Sequence, residues 1–197
     1  MSIKKEGEHM RPNKTTIIYA HPYNQSFNHA ILEKIEATLI AKHIDYTIID
    51  LYKEQFNPVY STEELSLFKS GETLDPLVRD YQKKLLDTSH LIIITPIWWN
   101  NIPAILKGFF DKVLKMKFAY TPSKTGVKGL LTHIESARII TTATSPKFFI
   151  KYFSGNCIGG SVKSTLKQIG VRKVAWEHFG GISTSTGEKR KKFLDSL

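Results

Sequence analysis

Three short polar segments carry the side chains best suited to binding a charged ligand, and each follows an apolar run. They read HPYNQSFN (residues 21–28), PIWWNN (96–101) and TTATSP (141–146). In the first, Ser26 and Asn28 place a hydroxyl and an amide at the start of a predicted helix, where backbone amides and the helix dipole attract anions. The pattern predicts a phosphate site, and the same side chains are also common helix caps.

Other kinds of site have less support in the sequence. The segment at residues 21–28 has no glycine, so it is not the G-x-G-x-x-G turn that brings a backbone close to the pyrophosphate of NAD. The histidines show no metal-ligand spacing with each other or with Cys157, so we expect no metal site. Cys157 also lacks a nearby base, and the G-x-S-x-G turn of a serine hydrolase is missing from the sequence.

Strand and helix patterns alternate along the chain, which predicts an α/β fold. We expect a doubly wound five-stranded parallel sheet with helices on both faces. The predicted strands cover about 15–18, 45–50, 90–95, 137–142 and 171–176, and the predicted helices about 28–42, 62–68, 75–87 and a stretch from 103 onwards. Ligands bind beyond the carboxyl ends of parallel strands, so the three polar segments should converge on one site.

Composition suits a single intracellular domain. The 197 residues, 41% hydrophobic, are enough to bury one α/β core, which we place at 14–197. Residues 1–13 are predicted to be a disordered extension, within which Met10 could be the natural start. One cysteine excludes an internal disulfide, and no apolar run is long enough for a membrane span. We therefore expect a cytoplasmic protein that is not integral to a membrane.

The formal charge of +10 suits an anionic partner. Basic residues are spread over the whole chain, so we expect an anionic small ligand and no nucleic acid. The densest cluster, residues 189–192 (KRKK), is predicted to be a solvated face of a C-terminal helix.

The combination AHPYNQSFN, TPIWWNNIPAILKGFFDKVL, FAY and TTATS resembles the flavodoxin-like NAD(P)H:quinone oxidoreductases over about residues 15–179. That family includes the ancillary oxidoreductases of bacterial potassium-efflux systems. The resemblance implies a homodimer that binds FMN or FAD non-covalently. NADPH or NADH would reduce the flavin, and the flavin would reduce a quinone, azo or nitro compound in two-electron, ping-pong steps. Two alternatives stay open: a regulatory subunit that docks on a membrane transporter, and a one-electron flavodoxin.

The resemblance also implies residue roles. The flavin phosphate and ribityl chain would contact His21, Ser26, Phe27 and Asn28. Backbone amides facing the isoalloxazine ring would come from Ile97, Trp98, Trp99 and Asn100, and Pro96 before them would also contact the cofactor. A third loop, usually T-T-G-G in the family, is here Thr141, Thr142, Ala143 and Thr144. Phe118 and Tyr120 would line the substrate pocket, often from the partner subunit.

One departure from the family concerns catalysis. Better known quinone reductases place a tyrosine and a histidine near the flavin, whereas this chain reads SPKFFIKYFSGN from residue 145 and has no histidine between His133 and His178. Phe149 lies near the expected tyrosine, and Tyr152 or Lys151 could substitute. Phe149 and Tyr152 are thus the candidate catalytic side chains, with flavin N5 as the reactive centre.

Overall fold

The computed structural model describes residues 13–197, and its centre is a five-stranded parallel sheet. The strands of the described chain are β1 (Lys14–Tyr19), β2 (Asp45–Asp50), β3 (His90–Pro96), β4 (Tyr120–Ser123), β5 (Gly126–Gly129), β6 (Ser136–Thr142) and β7 (Lys173–Phe179). The main sheet has the order β2-β1-β3-β6-β7, while β4 and β5 form a separate antiparallel hairpin. The predicted fold class is therefore confirmed; the disorder expected for residues 1–13 falls almost wholly on 1–12, outside the described residues.

The three central strands are the apolar, β-branched runs that the sequence indicated. Side chains alternate between the two faces of a strand, so Ile17 and Ile18 point into different layers, and both are fully buried. β1 pairs with β2 on one side and β3 on the other. The strand order thus reverses beside β1, where parallel sheets open a crevice for ligands.

Helices cover both faces of the sheet. They are α1 (Phe27–Ala41), α2 (Thr62–Ser66), α3 (Pro76–Leu86), α4 (Ala104–Val113), α5 (Lys147–Tyr152), α6 (Lys163–Gln168) and α7 (Gly187–Asp195), with a π-helix at Cys157–Val162. Ser26 caps α1 by accepting from the backbone of His29, and Asp75 caps α3 ahead of Pro76. The five predicted helices, including the C-terminal one, are present, and the ends that were predicted are shifted by at most a few residues.

Two apolar layers result. The larger packs α3, α4 and α6 onto one face, with Tyr81 and Phe109 fully buried. The smaller packs α1 and α7 onto the other face, where Phe27, Phe179 and Phe193 form one aromatic cluster with ring centroids 4.6 to 6.2 Å apart. No helix among residues 13–197 has the length and apolarity needed to cross a bilayer.

The structure differs from the sequence expectation in three places. β7 runs to Phe179, three residues beyond the predicted end at 176, because it stays paired with β6 up to Thr142. The hairpin β4–β5 was not predicted, because its residues lack an apolar alternation. The helical turns within 147–168 were also missed, since each is only six residues long and carries no clear period.

Candidate functional site

A cavity of about 750 Å³ opens at the carboxyl ends of β1, β3 and β6. It brings together side chains from all three polar segments, as their positions after these strands predicted. The lining residues are His21, Tyr23, Gln25, Ser26, Phe27, Asn28, Pro96, Ile97, Trp98, Trp99, Thr142, Ala143, Thr144, Ile182 and Arg190. No carboxylate is among these lining residues, so the wall of the cavity favours an anion.

The first turn of α1 forms one wall. Ser26 Oγ accepts from the backbone N–H of His29 at 3.1 Å, and no acidic residue occupies this turn. Phe27 and Asn28 are the first two residues of the helix, so their backbone N–H groups have no acceptor within it. These amides and the positive end of the helix dipole suit a phosphate group.

Asn28 supplies a second polar feature. Its side chain is almost fully buried, and Nδ2 donates to Thr142 Oγ1 at 2.9 Å. Within the described part of the chain, the buried Asn28 Oδ1 has no hydrogen-bond partner. A buried acceptor without a partner costs free energy, so this atom is placed to accept from a hydroxyl of a ligand.

His21 lies at the mouth of the cavity as a neutral side chain. Burial lowers the pKa of His21, and its Nδ1 accepts from the backbone N–H of Tyr23 at 3.1 Å, which requires that nitrogen to be unprotonated. The His21 ring meets the Trp98 ring edge to face at 5.8 Å. His21 therefore offers a hydrogen-bonding atom and an apolar face, but no positive charge.

A tight turn at Trp98–Asn101 carries the two tryptophans. Trp98 and Asn101 exchange backbone hydrogen bonds of 2.8 and 3.0 Å, and the residues between them, Trp99 and Asn100, have φ of 47° and 63°. These are the positive φ values of a type I′ turn, which favours glycine or asparagine and strains a bulky side chain. Trp99 is held 99% exposed at the cavity rim by this backbone.

The turn corrects one detail of the expected flavin contacts. Ile97 N–H donates to Thr142 O at 2.8 Å and Trp98 N–H donates to Asn101 O, so neither amide is free to face a ring system. The backbone amides of Trp99 and Asn100 donate no backbone hydrogen bond to the described residues, so they are free to face a ligand.

The loop after β6 is fastened to the segment after β7. Ala143 N–H donates to Phe179 O at 3.0 Å, and Ala143 O accepts from Ile182 N–H at 3.0 Å. Below this loop, Thr141 is buried and its hydroxyl bonds to His178 Nδ1 at 2.7 Å instead of facing the cavity. Burial, partly opposed by the bond from His178 Nε2 to Ser145 O, lowers the pKa of His178.

Arg190 departs from the solvated face expected for residues 189–192, whereas Lys189, Lys191 and Lys192 are exposed as expected. Its Nε donates to Ser185 Oγ at 2.8 Å and its Nη2 to Ile182 O at 3.0 Å. The guanidinium carbon lies 5.6 Å from the centre of the Phe27 ring, beside the first turn of α1. A fixed cation thus lies next to the proposed phosphate position. The spacing of Arg190 with Phe193 and Leu194 could have placed it on the inner face of the helix.

Some expected site residues lie elsewhere in this single chain. Phe118 and Tyr120 pack against the larger apolar layer, and Tyr120 lines a different cavity beside α4. Phe149 stacks on Phe153 at 6.1 Å, and Tyr152 is 68% exposed. Neither Phe149 nor Tyr152 lines the 750 Å³ cavity, and their catalytic roles stay predictions. The sequence analysis assigned no individual role to Tyr23, Gln25, Ile182 or Arg190, although Tyr23 and Gln25 lie within the first polar segment.

Comparison with known proteins agrees with the observed fold. A family described as having the flavodoxin-like fold matches residues 13–196. A Haemophilus influenzae protein named as an uncharacterized NAD(P)H oxidoreductase is 29% identical over 184 residues, which is 91% of this chain and 89% of that protein. Rat NAD(P)H dehydrogenase [quinone] 1 is 31% identical, but the match spans 71% of this chain and only 57% of the rat protein.

Two solved structures resemble the whole chain. The Smu.1420 protein of Streptococcus mutans superposes with a TM-score of 0.81 and is 32% identical, covering 93% of this chain and 95% of that one. The NAD(P)H:quinone oxidoreductase of Methanothermobacter marburgensis has a TM-score of 0.78 and 28% identity, covering 93% and 94%.

Proposed function

This chain belongs to the flavodoxin-like fold family that it matches over residues 13–196, and on that premise we propose that it is a flavin-dependent NAD(P)H oxidoreductase acting on quinones or similar acceptors. Its relatives in Haemophilus influenzae, rat and Methanothermobacter marburgensis are named as NAD(P)H oxidoreductases or quinone reductases. The observation that carries the proposal is the buried, unpartnered Asn28 Oδ1 beside the free amides of the first turn of α1.

The cavity fits a flavin. The amides of Phe27 and Asn28 would receive the phosphate, and Asn28 Oδ1 would accept from a hydroxyl of the ribityl chain. Pro96, Ile97 and Trp98 give an apolar wall for a ring system. When bound, the flavin supplies the redox centre that accepts a hydride from NAD(P)H and returns it to the acceptor.

The chain's own residues orient the reactants. Trp99, held at the rim by the type I′ turn, offers an aromatic surface against which nicotinamide or quinone can stack. Ala143 and Thr144 narrow the cavity on the β6 side, where the family has glycines. Their backbone is held by bonds to the segment after β7, which keeps this wall in one position.

Of the two flavins, we propose FAD. The cavity continues past the first turn of α1 to Ile182 and Arg190. A cation and an apolar side chain beyond the phosphate position suit the second phosphate and the adenine of FAD, whereas FMN would leave them without a ligand group. Loading the protein with each flavin and comparing the dissociation constants tests this choice, and equal or tighter binding of FMN would contradict it.

We also propose a homodimer. Three aromatic side chains on and just after α5 are largely exposed: Phe148 (60%), Tyr152 (68%) and Phe153 (73%). Trp99 is almost fully exposed as well. Exposed aromatic patches of this kind are typical of interfaces. A second copy could cover them, and its Phe118 and Tyr120 could then complete the substrate pocket. Sedimentation velocity should give twice the mass of the chain, and Phe153→Lys should shift the mass towards one chain.

An anaerobic titration tests the enzymatic proposal. Protein loaded with FAD or FMN is titrated with NADPH and, separately, NADH while the yellow flavin absorbance is followed. We expect stoichiometric bleaching that is reversed when a quinone is added. Bound flavin that neither nucleotide bleaches would refute the oxidoreductase activity, and failure to bind flavin would refute the proposed role of the cavity.

A further inference from the structure

A second cavity of about 530 Å³ adjoins the flavin cavity, and the two share Thr144. It lies between the loop after β6, the end of β7 and one side of α7. The lining residues are Thr144, Pro146, Lys147, His178, Phe179, Gly180, Gly181, Lys189, Lys192, Phe193 and Ser196. None of the roles described so far uses this space.

Three lysines and no carboxylate line the second cavity. Lys189 and Lys192 are three positions apart on α7, so they project on the same side of the helix. Lys147 approaches from the start of α5. Asp195 pairs with Lys191 at 2.6 Å, and Glu177 pairs with Arg138 at 2.9 Å. Glu188 precedes Lys189 on α7, but it is exposed and does not line this cavity. The wall of the cavity itself therefore carries a net positive charge.

Two of these lysines are held in place. Lys147 Nζ donates to Trp176 O at 2.5 Å and lies 4.9 Å from the centre of the Trp176 ring. Lys189 Nζ donates to Gly180 O at 3.4 Å and lies 5.5 Å from the centre of the Phe179 ring. An ammonium group has three N–H donors, so each retains donors for a ligand. Positioned cations with spare donors are the usual means of binding phosphate.

α7 separates the two cavities. Successive residues on a helix point about 100° apart, so Arg190 faces the flavin cavity while Lys189 and Lys192 face the second one. The lysine cluster is thus available to a second ligand. Such a ligand could extend from the lysines past Thr144, which lines both cavities, into the flavin cavity. The half-buried Phe193 adds an aromatic surface at this position.

We propose that this lysine cavity binds the adenosine end of NADPH, with its 2′-phosphate among Lys147, Lys189 and Lys192, and so makes the enzyme select NADPH over NADH. The inference rests on the proposed function, since a nicotinamide stacked on the flavin must extend its adenosine half along the protein surface. The 2′-phosphate carries close to two negative charges at neutral pH, as other phosphomonoesters do. NADH lacks it, so cations here discriminate between the two coenzymes.

The first experiment measures coenzyme preference. The flavin-loaded variant Lys189→Gln/Lys192→Gln is compared with wild type for kcat/KM with NADPH and with NADH. We expect the NADPH-to-NADH ratio to fall at least tenfold, because each charged hydrogen bond to a phosphate contributes about tenfold in affinity. The ratio should also fall in wild type as salt concentration rises, since these lysines are exposed and screened.

Lys191→Gln is the matched control. It removes the same charge from the same helix, but Lys191 is 77% exposed, pairs with Asp195 and lines neither cavity. The control should leave the ratio as in wild type. An equal fall in the control would mean that only the net charge of the helix matters, and this would overturn the proposal.

A binding measurement needs no turnover. Calorimetric titration of the flavin-loaded protein with adenosine 2′,5′-bisphosphate should show binding that 5′-AMP does not match and that Lys189→Gln/Lys192→Gln weakens at least tenfold. Equal binding of both probes, or no effect of the variant, would overturn the proposal. If NADH still bleaches the flavin while the probes show no preference, the oxidoreductase activity stands and only the 2′-phosphate site is lost.

Discussion

Asn28 Nδ2 donates to Thr142 Oγ1 at 2.9 Å, and this bond joins the first turn of α1 to the last residue of β6 at the wall of the 750 Å³ cavity. The two residues come from different polar segments of the chain. Their contact fixes the direction of the Asn28 side chain and leaves Oδ1 as the atom without a partner.

Replacing Thr142 with valine should therefore weaken flavin binding. Asn28 would lose its acceptor and could turn, so the acceptor atom offered to the ribityl chain would no longer be fixed. We expect the flavin dissociation constant to rise about tenfold, measured by quenching of flavin fluorescence. Thr16→Val is the control, because it removes another buried hydroxyl pair, Thr16 with Thr88 at 2.6 Å, from the same sheet. Equal weakening in both variants would argue against the Asn28 role.

Arg190→Gln should also weaken flavin binding, for an electrostatic reason. The guanidinium is held by Ser185 and Ile182 beside the first turn of α1, where it provides a positive charge for a phosphate. We expect a loss of about tenfold in affinity that diminishes at high salt. Arg172→Gln changes charge at a distant cavity and should have no effect. A salt-independent loss would mean that Arg190 acts through packing on Phe27.

Trp99→Gly should raise the free energy of unfolding and impair the enzyme. Glycine adopts the φ of 47° at little cost, whereas tryptophan is strained there. Relief of left-handed strain is worth about 1 to 2 kcal/mol, and the greater backbone freedom of unfolded glycine offsets about 0.5 to 1 kcal/mol of it. We expect a net gain of about 0.5 to 1 kcal/mol in urea unfolding, with a raised KM for quinone because the aromatic surface is lost. Asn100→Gly, in the same turn, should change stability less, since asparagine tolerates positive φ. A quinone KM unaffected by Trp99→Gly would show that Trp99 does not contact the acceptor.

A buried ion pair gives a pH-dependent prediction. Lys115 Nζ, fully buried, bonds Glu64 Oε2 at 2.8 Å. Burial alone would raise the pKa of Glu64, but Lys115, the backbone amides of Leu74 and Asp75 and the Thr73 hydroxyl together lower it to about 2, against an ordinary value of 4.5. Because the folded-state pKa is the lower one, this carboxylate stabilises the protein above about pH 4.5, and the contribution is lost as pH falls towards 2.

Glu64→Gln should cost about 3 kcal/mol at pH 7, because it leaves Lys115 buried without its partner. The difference from wild type should shrink below pH 4.5. Glu64→Gln/Lys115→Met removes both charges and should recover much of the loss, as measured by urea unfolding across pH. A constant difference at all pH values would mean that the carboxylate charge is not responsible.

The sequence predicted the parts of the site that depend on strand ends. The runs at Thr15 and Ile92 are apolar enough to define buried parallel strands, and the topology then brings the following loops together. These features could be predicted because a strand's apolar pattern and the polar segment that follows it both depend only on neighbouring residues in the sequence.

It could not find features that depend on tertiary contacts. Helical spacing could place Arg190 on the inner face of α7, but what that face meets, the Phe27 ring at the first turn of α1, follows only from the docking of the helix. The lysine cavity likewise combines Lys147 with Lys192, which share no local pattern. The strained φ of Trp99 is invisible in the sequence because tryptophan is not the residue that such a turn favours.

The packing of α7 against α1 has a consequence for synthesis in the cell. The 750 Å³ cavity takes His21 from the loop after β1 and Arg190 from α7. The loop after β1 leaves the ribosome long before α7, so the cavity is incomplete until α7 has been synthesised and has packed against α1. Flavin capture should therefore follow the docking of α7 instead of guiding the early stages of folding.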